Sequence, residues 1–323
     1  MIKVSVVIPN YNGEKYLKNC VDSLMGQGLR SFEVIVVDDA STDGSAEALK
    51  KSWPENGARP RIRYIFHEEN KGFAASVNDG IRASEAEFVI LLNNDTVVKP
   101  GFIENLWREI RRSEKIFSVS ASMRKMDDET VMDDGGDLFC VLGWAFSPAR
   151  DKSAERFKKR KRIFSACGGA AIYRKDVLEK LGGFDEAHFA YLEDVDLGFR
   201  AKLAGYDNLY SPEAVVLHAG SGSSGSRYNE FKTRLTVRNQ LYLLYKNLPL
   251  WMWIVNFQLL AAGWLIKLCF FTVKGLGLTY LKAFFEGFSL CKKEKRAHLE
   301  GVPFLRQLGI EAELIANTFR RIV

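Results

Sequence analysis

The stretch Phe32-Glu33-Val34-Ile35-Val36-Val37-Asp38-Asp39, residues 32–39, predicts a β-strand that ends at two carboxylates. Its unbroken apolar and β-branched run is typical of a strand buried on both faces of a parallel sheet. Residues 4–8 form a similar run that ends at Pro9, and residues 14–25 between the two runs have helical spacing. The chain therefore opens with a strand, a helix and a second strand, which is the start of a βαβ pattern.

The same alternation continues towards the C-terminus. Strands are predicted at residues 62–66 and 88–92, and helices at 72–83 and from Pro100 to about residue 112. This rhythm predicts an α/β fold with a Rossmann-like, mostly parallel sheet flanked by helices. In such sheets ligands bind beyond the carboxyl ends of the strands. Three polar segments lie at those ends and are expected to share one crevice: Pro9-Asn10-Tyr11, Asp38-Asp39 and Asn93-Asn94-Asp95.

A second acidic group, Tyr191-Leu192-Glu193-Asp194-Val195-Asp196, begins a helix predicted over residues 192–204 and ended by Gly205. Acids at the start of a helix are often only solvated. Together with Asn93-Asn94-Asp95, however, they indicate a divalent metal and a general base. His218 ends a last apolar strand at residues 215–218. A lone histidine is normally structural, but an imidazole beside an acidic site suits Mn²⁺ better than Mg²⁺.

Two segments of the second half are predicted to be irregular. Residues 124–162 form a long insertion that contains Asp133-Asp134-Gly135-Gly136, and such insertions are usually functional or mobile. Its basic run at residues 156–162 is either a solvated loop or a contact for the phosphates of a substrate or of lipids. The Gly/Ser run at residues 220–225 is either a linker or a flap over a bound phosphate. Residues 164–173 return to strand-like chemistry, interrupted by Gly168-Gly169.

The net charge of +6 lies entirely in the C-terminal part of the chain, where residues 241–323 carry 11 Lys and Arg against 5 Asp and Glu. This part is also the most apolar, so we expect an anionic membrane surface as its partner and no nucleic acid. The N-terminus lacks a signal peptide pattern, which predicts a cytosolic start. A reducing compartment is expected because the five cysteines are scattered and odd in number: Cys20, Cys140, Cys167, Cys269 and Cys291.

The tail begins with a helix predicted at residues 228–247, followed by apolar stretches at 250–273 and 276–290. The first stretch is just long enough to span a membrane, since a spanning helix needs about 20 apolar residues. Its tryptophans and flanking lysines fit an interfacial helix equally well. A buried helical hairpin of a soluble dimer is the third interpretation. We expect one domain over residues 1–240 and a basic, apolar helical tail over 241–323.

The motifs, in their order, resemble family 2 of the inverting glycosyltransferases, which have the GT-A fold. The resemblance covers about residues 3–240, is closest to the rhamnosyltransferase-like branch, and rests on the ordered series: Val6-Val7-Ile8-Pro9-Asn10-Tyr11-Asn12, Val36-Val37-Asp38-Asp39-Ala40-Ser41-Thr42-Asp43-Gly44, Asn70-Lys71-Gly72-Phe73-Ala74 with Asn78, Asn93-Asn94-Asp95, Gly182-Gly183-Phe184-Asp185, Glu193-Asp194-Val195-Asp196 and His218. No P-loop, no GxGxxG after the first strand and no GxSxG is present.

The resemblance implies a role for each matching residue. A nucleotide would be bound by Pro9, Tyr11, Asp38, Asp39, Lys71 and Asn94, with Tyr11 stacked on the base and Asp39 accepting a hydrogen bond from its imide. Asp95 and His218 would hold Mn²⁺ or Mg²⁺ at the donor's diphosphate. Asp194 would be the catalytic base, and Glu193 or Asp196 would either raise its pKa or orient the acceptor.

One departure from the family pattern concerns the metal. The usual motif is Asp-x-Asp, whereas this chain has Asn93-Asn94-Asp95, so Asp95 is the one charged ligand of that loop. Binding of the metal should therefore be weak without the nucleotide.

The expected function is the transfer of a sugar, with inversion, from a nucleotide-diphosphate donor such as dTDP-rhamnose or a UDP-sugar. The acceptor would be a saccharide linked to a polyprenyl diphosphate, or a polysaccharide, at the cytoplasmic face of the cell membrane during synthesis of a surface glycan. Two alternatives are a nucleotidyltransferase of sugar-nucleotide metabolism and a non-catalytic membrane scaffold. The first lacks its usual basic, glycine-rich loop after the first strand, and the second does not explain the acidic series.

Overall fold

The computed structural model describes residues 2–55, 60–220, 228–294, 296–297 and 301–322. Its first half alternates strands and helices as the sequence predicts. The elements are β1 (Val4–Asn10), α1 (Leu17–Met25), β2 (Phe32–Asp38), α2 (Ser45–Ser52), β3 (Arg61–Phe66), α3 (Phe73–Ala83), β4 (Phe88–Leu92), β5 (Thr96–Val98) and α4 (Phe102–Ile110).

The second half adds strands that close the sheet and then four long helices. The elements are β6 (Ile116–Lys125), β7 (Met132–Asp134), β8 (Leu138–Phe139), β9 (Ala145–Phe146), β10 (Lys161–Ile163), β11 (Ala170–Arg174), α5 (Lys175–Leu181), α6 (Glu193–Ala204), β12 (Asp207–His218), α7 (Glu230–Asn247), α8 (Leu250–Val273), α9 (Gly277–Lys293) and α10 (Phe304–Ile322). Two short 3-10 helices lie at Ala154–Phe157 and Glu186–His188.

One sheet organises the molecule, in the strand order β10-β12-β6-β11-β4-β1-β2-β3. Strands β1 to β4 are parallel where they pair, as predicted. The sheet as a whole is mixed, because β11 is inserted antiparallel between β4 and β6. Apolar clusters cover both faces of the sheet, one under α1 and α4 and the other under α3, α5 and α6. The predicted α/β class is confirmed.

Strand β6 was not predicted, and β12 is longer than predicted. The reason is that neither sequence is an unbroken apolar run like those of β1 to β4. In β6, the buried serines Ser118, Ser120 and Ser122 alternate with apolar residues, and Ser118 Oγ donates a hydrogen bond to Asn208 Oδ1 at 2.7 Å. Strand β12 begins at Asp207, eight residues before the predicted position 215. Its pairing with β6 shifts register between Tyr210 and Val215, where a proline interrupts the chain.

The insertion at residues 124–162 is not a single loop. It contains β7, which pairs with β6, the hairpin of β8 and β9, and the edge strand β10, which pairs with β12. Most of the basic run at residues 156–162 is exposed, and Arg160 in it makes an ion pair with Glu109. Of the two predicted alternatives, a solvated loop therefore describes this run better than a contact for phosphates. The Gly/Ser run at 220–225 lies almost entirely outside the described residues.

The C-terminal helices pack on the sheet domain through α7, which lies against α6 and α9, and through α10, which lies against β8 and α6. Residue 240, the predicted domain boundary, lies within this helix. Helix α8 is 24 residues long, with a mean hydropathy of 1.7 over an 18-residue window of which 17% is buried, so by length and composition it could cross a membrane. The core helix of a soluble monomer would be mostly buried, whereas most of this helix is not.

Candidate active site

The loops after β1, β2 and β4 meet in a network of buried amides and carboxylates. Asn10 donates its side-chain amide to Asp38 Oδ1 at 2.7 Å and to Ser45 Oγ at 2.9 Å. Asn94 donates to Asn10 Oδ1 at 2.7 Å, directly above Gly13, where a Cβ atom would lie 2.4 Å from Asn94 Nδ2. The three strand ends that were predicted to share a crevice are therefore joined by hydrogen bonds. Asp38 and Asn94 are buried and help to hold these loops together.

Asp39 is held by neighbours that leave it one free acceptor position. Its Oδ1 accepts hydrogen bonds from the Lys71 backbone N–H at 2.9 Å and pairs with His67 Nδ1 at 2.7 Å, while Oδ2 accepts one from Gly72 N–H at 2.9 Å. A carboxylate offers about four acceptor positions, so Oδ2 can still accept one donor such as the imide of a pyrimidine. Sequence reasoning missed His67, whose Nε2 contacts Asp79 at 2.8 Å. No motif marked it.

Tyr11 and Lys71 stand at the open mouth of this crevice. The Tyr11 side chain is 45% exposed, and Lys71 is also exposed, whereas Pro9 is partly buried at the end of β1. An exposed aromatic ring beside a buried polar network offers a flat apolar face for stacking. The structure thus brings together the six residues predicted for nucleotide binding, with the carboxylates inside and the ring outside.

The predicted metal ligands Asp95 and His218 face each other. His218 Nε2 lies 3.2 Å from Asp95 Oδ1, and His218 Nδ1 lies 2.6 Å from Asp133 Oδ2. Burial alone would lower the pKa of His218, but its hydrogen bonds to Asp133 and Asp95 raise that pKa to about 10. Asp133 belongs to the insertion that the sequence marked as functional or mobile, but nothing in the sequence paired it with His218.

A divalent ion fits this pair on chemical grounds. If Asp133 keeps the Nδ1 proton of His218, Nε2 is left as a ligand, as in other carboxylate–histidine–metal triads. A nitrogen and an oxygen about 3 Å apart can occupy neighbouring positions of an ion bound at about 2.1 Å, and this mixed donor set suits Mn²⁺. The raised pKa of His218 favours a ring protonated at both nitrogens, so binding of the ion would release the proton of Nε2.

A different acidic group, Asp185, His188 and Asp196, also brings its possible ligand atoms within 4.8 Å of one another. Here the charge is already balanced, because Lys246 contacts both aspartates and Arg200 contacts Asp196. An added cation would have to displace two buried cations. We therefore regard this group as part of the protein's ionic core rather than as a metal site.

Asp194, the predicted base, is the second residue of α6. Its Oδ1 accepts a hydrogen bond from Val195 N–H at 2.8 Å, and its Oδ2 accepts one from Gly168 N–H at 3.0 Å. Burial raises the pKa of Asp194 to about 6, with a contribution from the negative charge of Asp134, against the lowering effect of the two backbone donors. A carboxylate that titrates near the operating pH is suited to accept a proton.

The turn Gly168-Gly169 connects the base to the metal loop. Gly168 N–H donates to Asp194, and Gly169 C=O accepts a hydrogen bond of 2.9 Å from Asn93 N–H, two residues before Asp95. The space around Gly169 is narrow, since a Cβ atom there would lie 3.0 Å from Asn93 Nδ2. The turn therefore links the loop that contains Asp95 to Asp194 through two hydrogen bonds.

Glu193 and Asp196 occupy different environments. Glu193 is buried, its Oε2 has no hydrogen-bond partner among the described residues, and burial followed by the charge of Asp194 raises its pKa well above the usual range. Asp196 is fully buried and bonded to Arg200, Lys246 and Asn247. Such a carboxylate cannot also orient an acceptor, so the structure argues against the acceptor-side role predicted for Asp196. Because Arg200 and Lys246 offset its charge, Asp196 also has little effect on the pKa of Asp194.

The loop before α6 has an unusual backbone that a distant helix supports. Phe189, Tyr191 and Leu192 all have positive φ angles of 63° to 70°. Such conformations cost about 1–3 kcal/mol each in non-glycine residues and persist only where the surroundings impose them. Asn239 of α7, fully buried, supplies that support by donating to the carbonyls of His188, Ala190 and Tyr191. Helix α7 of the tail thus holds the loop that positions Asp194 in the site.

Further acidic residues of the insertion face Asp194. Asp134 accepts a hydrogen bond of 3.2 Å from Arg150. Asp137 is partly exposed, and burial followed by the charges of Asp134 and Asp194 raises its pKa well above the usual range. The sequence offered one signal for them, the acidic turn at residues 133–136, but gave it no role. A cavity of about 860 Å³ lies elsewhere, between α5, α6 and the segment around Arg306, and none of Asp39, Asp95 or Asp194 lines it.

Known proteins are similar to this chain in sequence and in fold. A family model described as glycosyl transferase family 2 matches residues 5–182. The glycosyltransferase GlyG of Streptococcus pneumoniae is 32% identical over 188 residues, which are 58% of this chain and 60% of that protein. The N-acetylglucosaminyl-diphospho-decaprenol L-rhamnosyltransferase of Mycobacterium tuberculosis is 28% identical over 242 residues, which are 68% of this chain and 77% of that protein.

Solved structures resemble the fold at low sequence identity. GalNAc-T7 with UDP, GalNAc and Mn²⁺ superposes with a TM-score of 0.61 at 16% identity, over 76% of this chain and 48% of that chain. The mannosyltransferase PcManGT of Pyrobaculum calidifontis, in complex with GDP-Man and Mn²⁺, superposes with a TM-score of 0.56 at 18% identity, over 96% of this chain and 87% of that chain.

Proposed function

The chain belongs to glycosyl transferase family 2, and on that premise we propose that it transfers a sugar, with inversion, from a nucleotide-diphosphate donor to a lipid-linked saccharide. The observation that carries the proposal is the turn Gly168-Gly169, which is bonded to Asp194 on one side and to the Asn93 loop on the other. In-line displacement at a sugar carbon requires the attacking oxygen and the leaving group on opposite faces of that carbon, and a turn bonded to both loops can hold the base and the leaving-group site in a fixed relation.

Asp194 acts as the base of this reaction. It accepts the proton of the acceptor hydroxyl while that oxygen attacks the anomeric carbon of the donor sugar. The nucleoside diphosphate leaves from the opposite face with the electrons of the broken bond. Two backbone N–H groups hold the carboxylate in position, and a pKa of about 6 leaves it ionised at neutral pH yet able to take up a proton.

Asp95 and His218 hold a divalent ion, Mn²⁺ or Mg²⁺, which would neutralise charge on the departing diphosphate. Their facing ligand atoms and the hydrogen bond from His218 to Asp133 support this assignment. With a single aspartate in the Asn93-Asn94-Asp95 loop, part of the coordination shell comes from the nucleotide. Tight binding of Mn²⁺ to the nucleotide-free protein in calorimetry would contradict this assignment.

The donor carries a pyrimidine nucleotide, dTDP-rhamnose first and a UDP-hexose second. Its base stacks on Tyr11 and donates its imide N–H to Asp39, while Lys71 lies near the ribose at the open edge of the crevice. The free position on Asp39 Oδ2 supports this reading. The relative from M. tuberculosis, named as an L-rhamnosyltransferase, supports the order of the two donors.

The acceptor is a saccharide on a polyprenyl diphosphate, presented at the cytoplasmic face of the membrane. Helices α8, α9 and α10 expose large apolar side chains that include Ile254, Val273, Phe285 and Leu305, each more than 65% exposed. Lysines and arginines flank this surface at the ends of α9 and α10. An apolar surface edged by basic residues fits an anionic lipid interface. The tail then brings the enzyme to its acceptor.

A transferase assay tests the function. The protein is incubated with Mn²⁺, a panel of dTDP- and UDP-sugars and a short prenyl-diphosphate saccharide, and the anomeric configuration of the product is read by NMR. We expect turnover with one donor, inversion, and loss of turnover in Asp194→Asn but not in Asp176→Asn, which changes an exposed aspartate of α5. Turnover by folded Asp194→Asn would remove this residue as the base. Absence of both transfer and donor hydrolysis would favour a scaffold.

Thermal stabilisation offers a cheaper screen of the donor, because a ligand at a hundredfold its dissociation constant adds about 2.7 kcal/mol to the free energy of unfolding. Membrane attachment is tested by washing membranes with high salt and with carbonate. Release by salt alone would argue against a spanning helix.

A further inference from the structure

The tip of the hairpin formed by β8 and β9 is pressed against two tail helices. A Cβ atom on Gly143, in this tip, would lie 3.0 Å from Leu244 of α7 and 3.2 Å from Leu260 of α8. A Cβ atom on Gly263 of α8 would lie 2.4 Å from the carbonyl oxygen of Leu142. Glycines on both sides thus permit a close approach between the hairpin and α8. This junction, where the tip of the hairpin packs on α7 and α8, joins the sheet domain closely to the apolar tail.

Three nitrogen-bearing side chains meet at this junction: Trp144 from the hairpin, Gln240 from α7 and Lys267 from α8. Lys267 Nζ donates to Gln240 Oε1 at 2.5 Å and lies 5.8 Å from the centre of the Trp144 ring. Lys267 follows Gly263 by one helical turn, so it is on the face of α8 that meets the hairpin. Gln240 is almost fully buried, while Trp144 and Lys267 are partly exposed.

The cluster has hydrogen-bond donors that nothing in the described chain accepts. The indole Nε1 of Trp144 and the amide Nε2 of Gln240 are buried and have no partner among the described residues. The bond from Lys267 to Oε1 fixes the amide of Gln240, so its Nε2 must be the unpaired end. Buried donors without acceptors destabilise a fold, which makes such a group unusual unless an acceptor binds there.

The charge of Lys267 is also uncompensated. No ion pair joins it to a carboxylate within the residues that the structure describes, and Arg321 of α10, whose charge acts on it, is another cation. An ammonium group with two unpaired N–H donors beside it calls for an anion with several acceptor oxygens. Phosphate is such an anion, and a carboxylate offers fewer acceptors to three converging groups.

The elements that carry the cluster extend towards the places where the saccharide and the prenyl chain of a lipid-linked acceptor would lie. Asp137, whose pKa is raised in part by the charge of Asp194, directly precedes β8, and the chain reaches Cys140 in the hairpin tip three residues later, a span of at most about 10 Å. On the other side, α8 continues into exposed apolar side chains at Leu265, Ile266 and Phe270. One hairpin therefore follows the acidic residues near Asp194 and carries Trp144, while α8 carries both Lys267 and part of the surface proposed to face the lipid.

We propose that Trp144, Gln240 and Lys267 form a subsite for the phosphate groups of a prenyl diphosphate, with the saccharide directed towards Asp194 and the prenyl chain along α8. This inference rests on the proposed function for the identity of the acceptor. The subsite would select acceptors by their diphosphate and fix how far the saccharide reaches into the active site.

Direct binding tests the subsite without any transfer reaction. The full chain in detergent is titrated calorimetrically with farnesyl diphosphate in the presence of EDTA, so that no divalent ion can hold the probe at Asp95 and His218. We expect binding that Lys267→Met weakens at least tenfold and that Trp144→Phe, which removes the N–H donor together with part of the ring, weakens several-fold. Lys274→Met, which changes an exposed lysine at the end of the same helix, should have no effect.

Two further arms separate the sources of phosphate. Farnesol should bind wild type and Lys267→Met equally, because it lacks the phosphates. Vesicles containing phosphatidylglycerol should bind both proteins equally in flotation. If Lys267→Met lowered vesicle binding as strongly as farnesyl diphosphate binding, the cluster would be a general headgroup contact and the proposal would be overturned. Unchanged farnesyl diphosphate binding in Lys267→Met would leave only a hydrated polar pocket and would overturn it as well.

Steady-state kinetics distinguishes a failure of the subsite proposal from a failure of the proposed function. Lys267→Met should raise KM for a prenyl-diphosphate acceptor about tenfold while leaving KM for the donor unchanged. With an alkyl glycoside acceptor that has no phosphate, the variant and wild type should behave alike. Binding of farnesyl diphosphate that depends on Lys267 in a protein without transferase activity would support the subsite and reject the proposed function.

Discussion

Asp133 accepts a hydrogen bond of 2.6 Å from Nδ1 of His218, and so couples the insertion at residues 124–162 to the end of β12. The contact turns Nε2 of His218 towards Asp95. A carboxylate that holds the far nitrogen of a ligand histidine fixes both the orientation and the tautomer of the ring. The insertion therefore serves the proposed metal site, although it supplies no metal ligand itself.

The first prediction follows from this pair. Asp133→Ala should weaken Mn²⁺ binding in the presence of nucleotide by about 10- to 100-fold, the usual cost of losing such a partner, and Asp133→Asn should recover part of it because its amide oxygen can still accept from Nδ1. The measurement is the Mn²⁺ dependence of turnover and of nucleotide binding. Asp128→Asn, an exposed change in the same insertion, is the control. Equal Mn²⁺ dependence of Asp133→Ala and wild type would contradict the assignment.

The second prediction concerns pH. Because a base must be ionised and the pKa of Asp194 is raised to about 6, kcat/KM should fall about tenfold per unit as the pH drops below 6 and should level off above it. A folded pKa above the unfolded value also means that ionisation of Asp194 destabilises the fold as pH rises through this range. The stability of Asp194→Asn relative to wild type should therefore increase between pH 5 and pH 8, by about 2 kcal/mol at most.

Urea unfolding of the two proteins at several pH values measures this difference. A constant difference between pH 5 and pH 8 would show that Asp194 titrates in the folded state as it does in the unfolded chain. An acidic limb of the rate profile well below pH 5 would argue against Asp194 as the group that takes the proton.

Much of this site was predictable because its residues follow strands. Asp39, Asp95 and His218 each end an apolar run, and parallel strands bring such ends to one edge. The sequence also contained a signal that separates Asp196 from Asp194. Residues two apart on a helix point about 200° away from each other, so Asp196 could not share a face with Asp194. It shares a face with Arg200, one turn later, which binds it.

Other parts of the site depend on tertiary contacts that local sequence does not encode. Ser118, Ser120 and Ser122 occupy a central strand because neighbouring strands and Asn208 satisfy their hydroxyls or cover them, which outweighs their weak strand propensity. The contact between Asp133 and His218 joins residues 85 positions apart. Asn239 likewise supports a loop nearly fifty residues earlier in the chain.

The third prediction addresses that support. Asn239→Ala removes three hydrogen bonds to the loop that precedes Asp194, so the positive-φ residues should relax and kcat should fall about a hundredfold, as expected when a catalytic group moves by about 1 Å. Nucleotide binding should fall less than kcat, because the hydrogen-bond partners of Asn239 among the described residues are Arg238 and the carbonyls of His188, Ala190 and Tyr191, none of which is predicted to bind the nucleotide. Asn256→Ala is the matched control, since it removes a buried amide that binds Glu311 between α8 and α10.

Both variants should lose stability, but only the first should lose kcat per folded molecule. Steady-state kinetics together with thermal unfolding separates these effects. A fall of kcat in Asn256→Ala equal to that in Asn239→Ala would show that the loss reflects general destabilisation of the tail rather than the position of Asp194.

The last prediction concerns the ion pairs that attach the tail to the sheet domain. Lys246 of α7 contacts Asp185 and Asp196, both more than four-fifths buried, and Arg200 and Asn247 complete the group around Asp196. Burial alone would raise the pKa of Asp196, but Arg200 and Lys246 outweigh it and hold that pKa well below the usual range. This contribution to stability is present at neutral pH and is lost as the pH falls through the folded pKa of Asp196.

Lys246→Met leaves the two aspartates with one cation, and breaking a buried ion pair in this way costs about 3–5 kcal/mol. Lys202→Met removes a comparable lysine of α6, whose partner Glu313 on α10 is more exposed, and should cost about 1 kcal/mol. Urea unfolding at pH 7 should rank the variants in this order and show one transition for both units. Equal losses, or a separate transition of residues 241–323, would mean that α7 does not join the tail to the sheet domain.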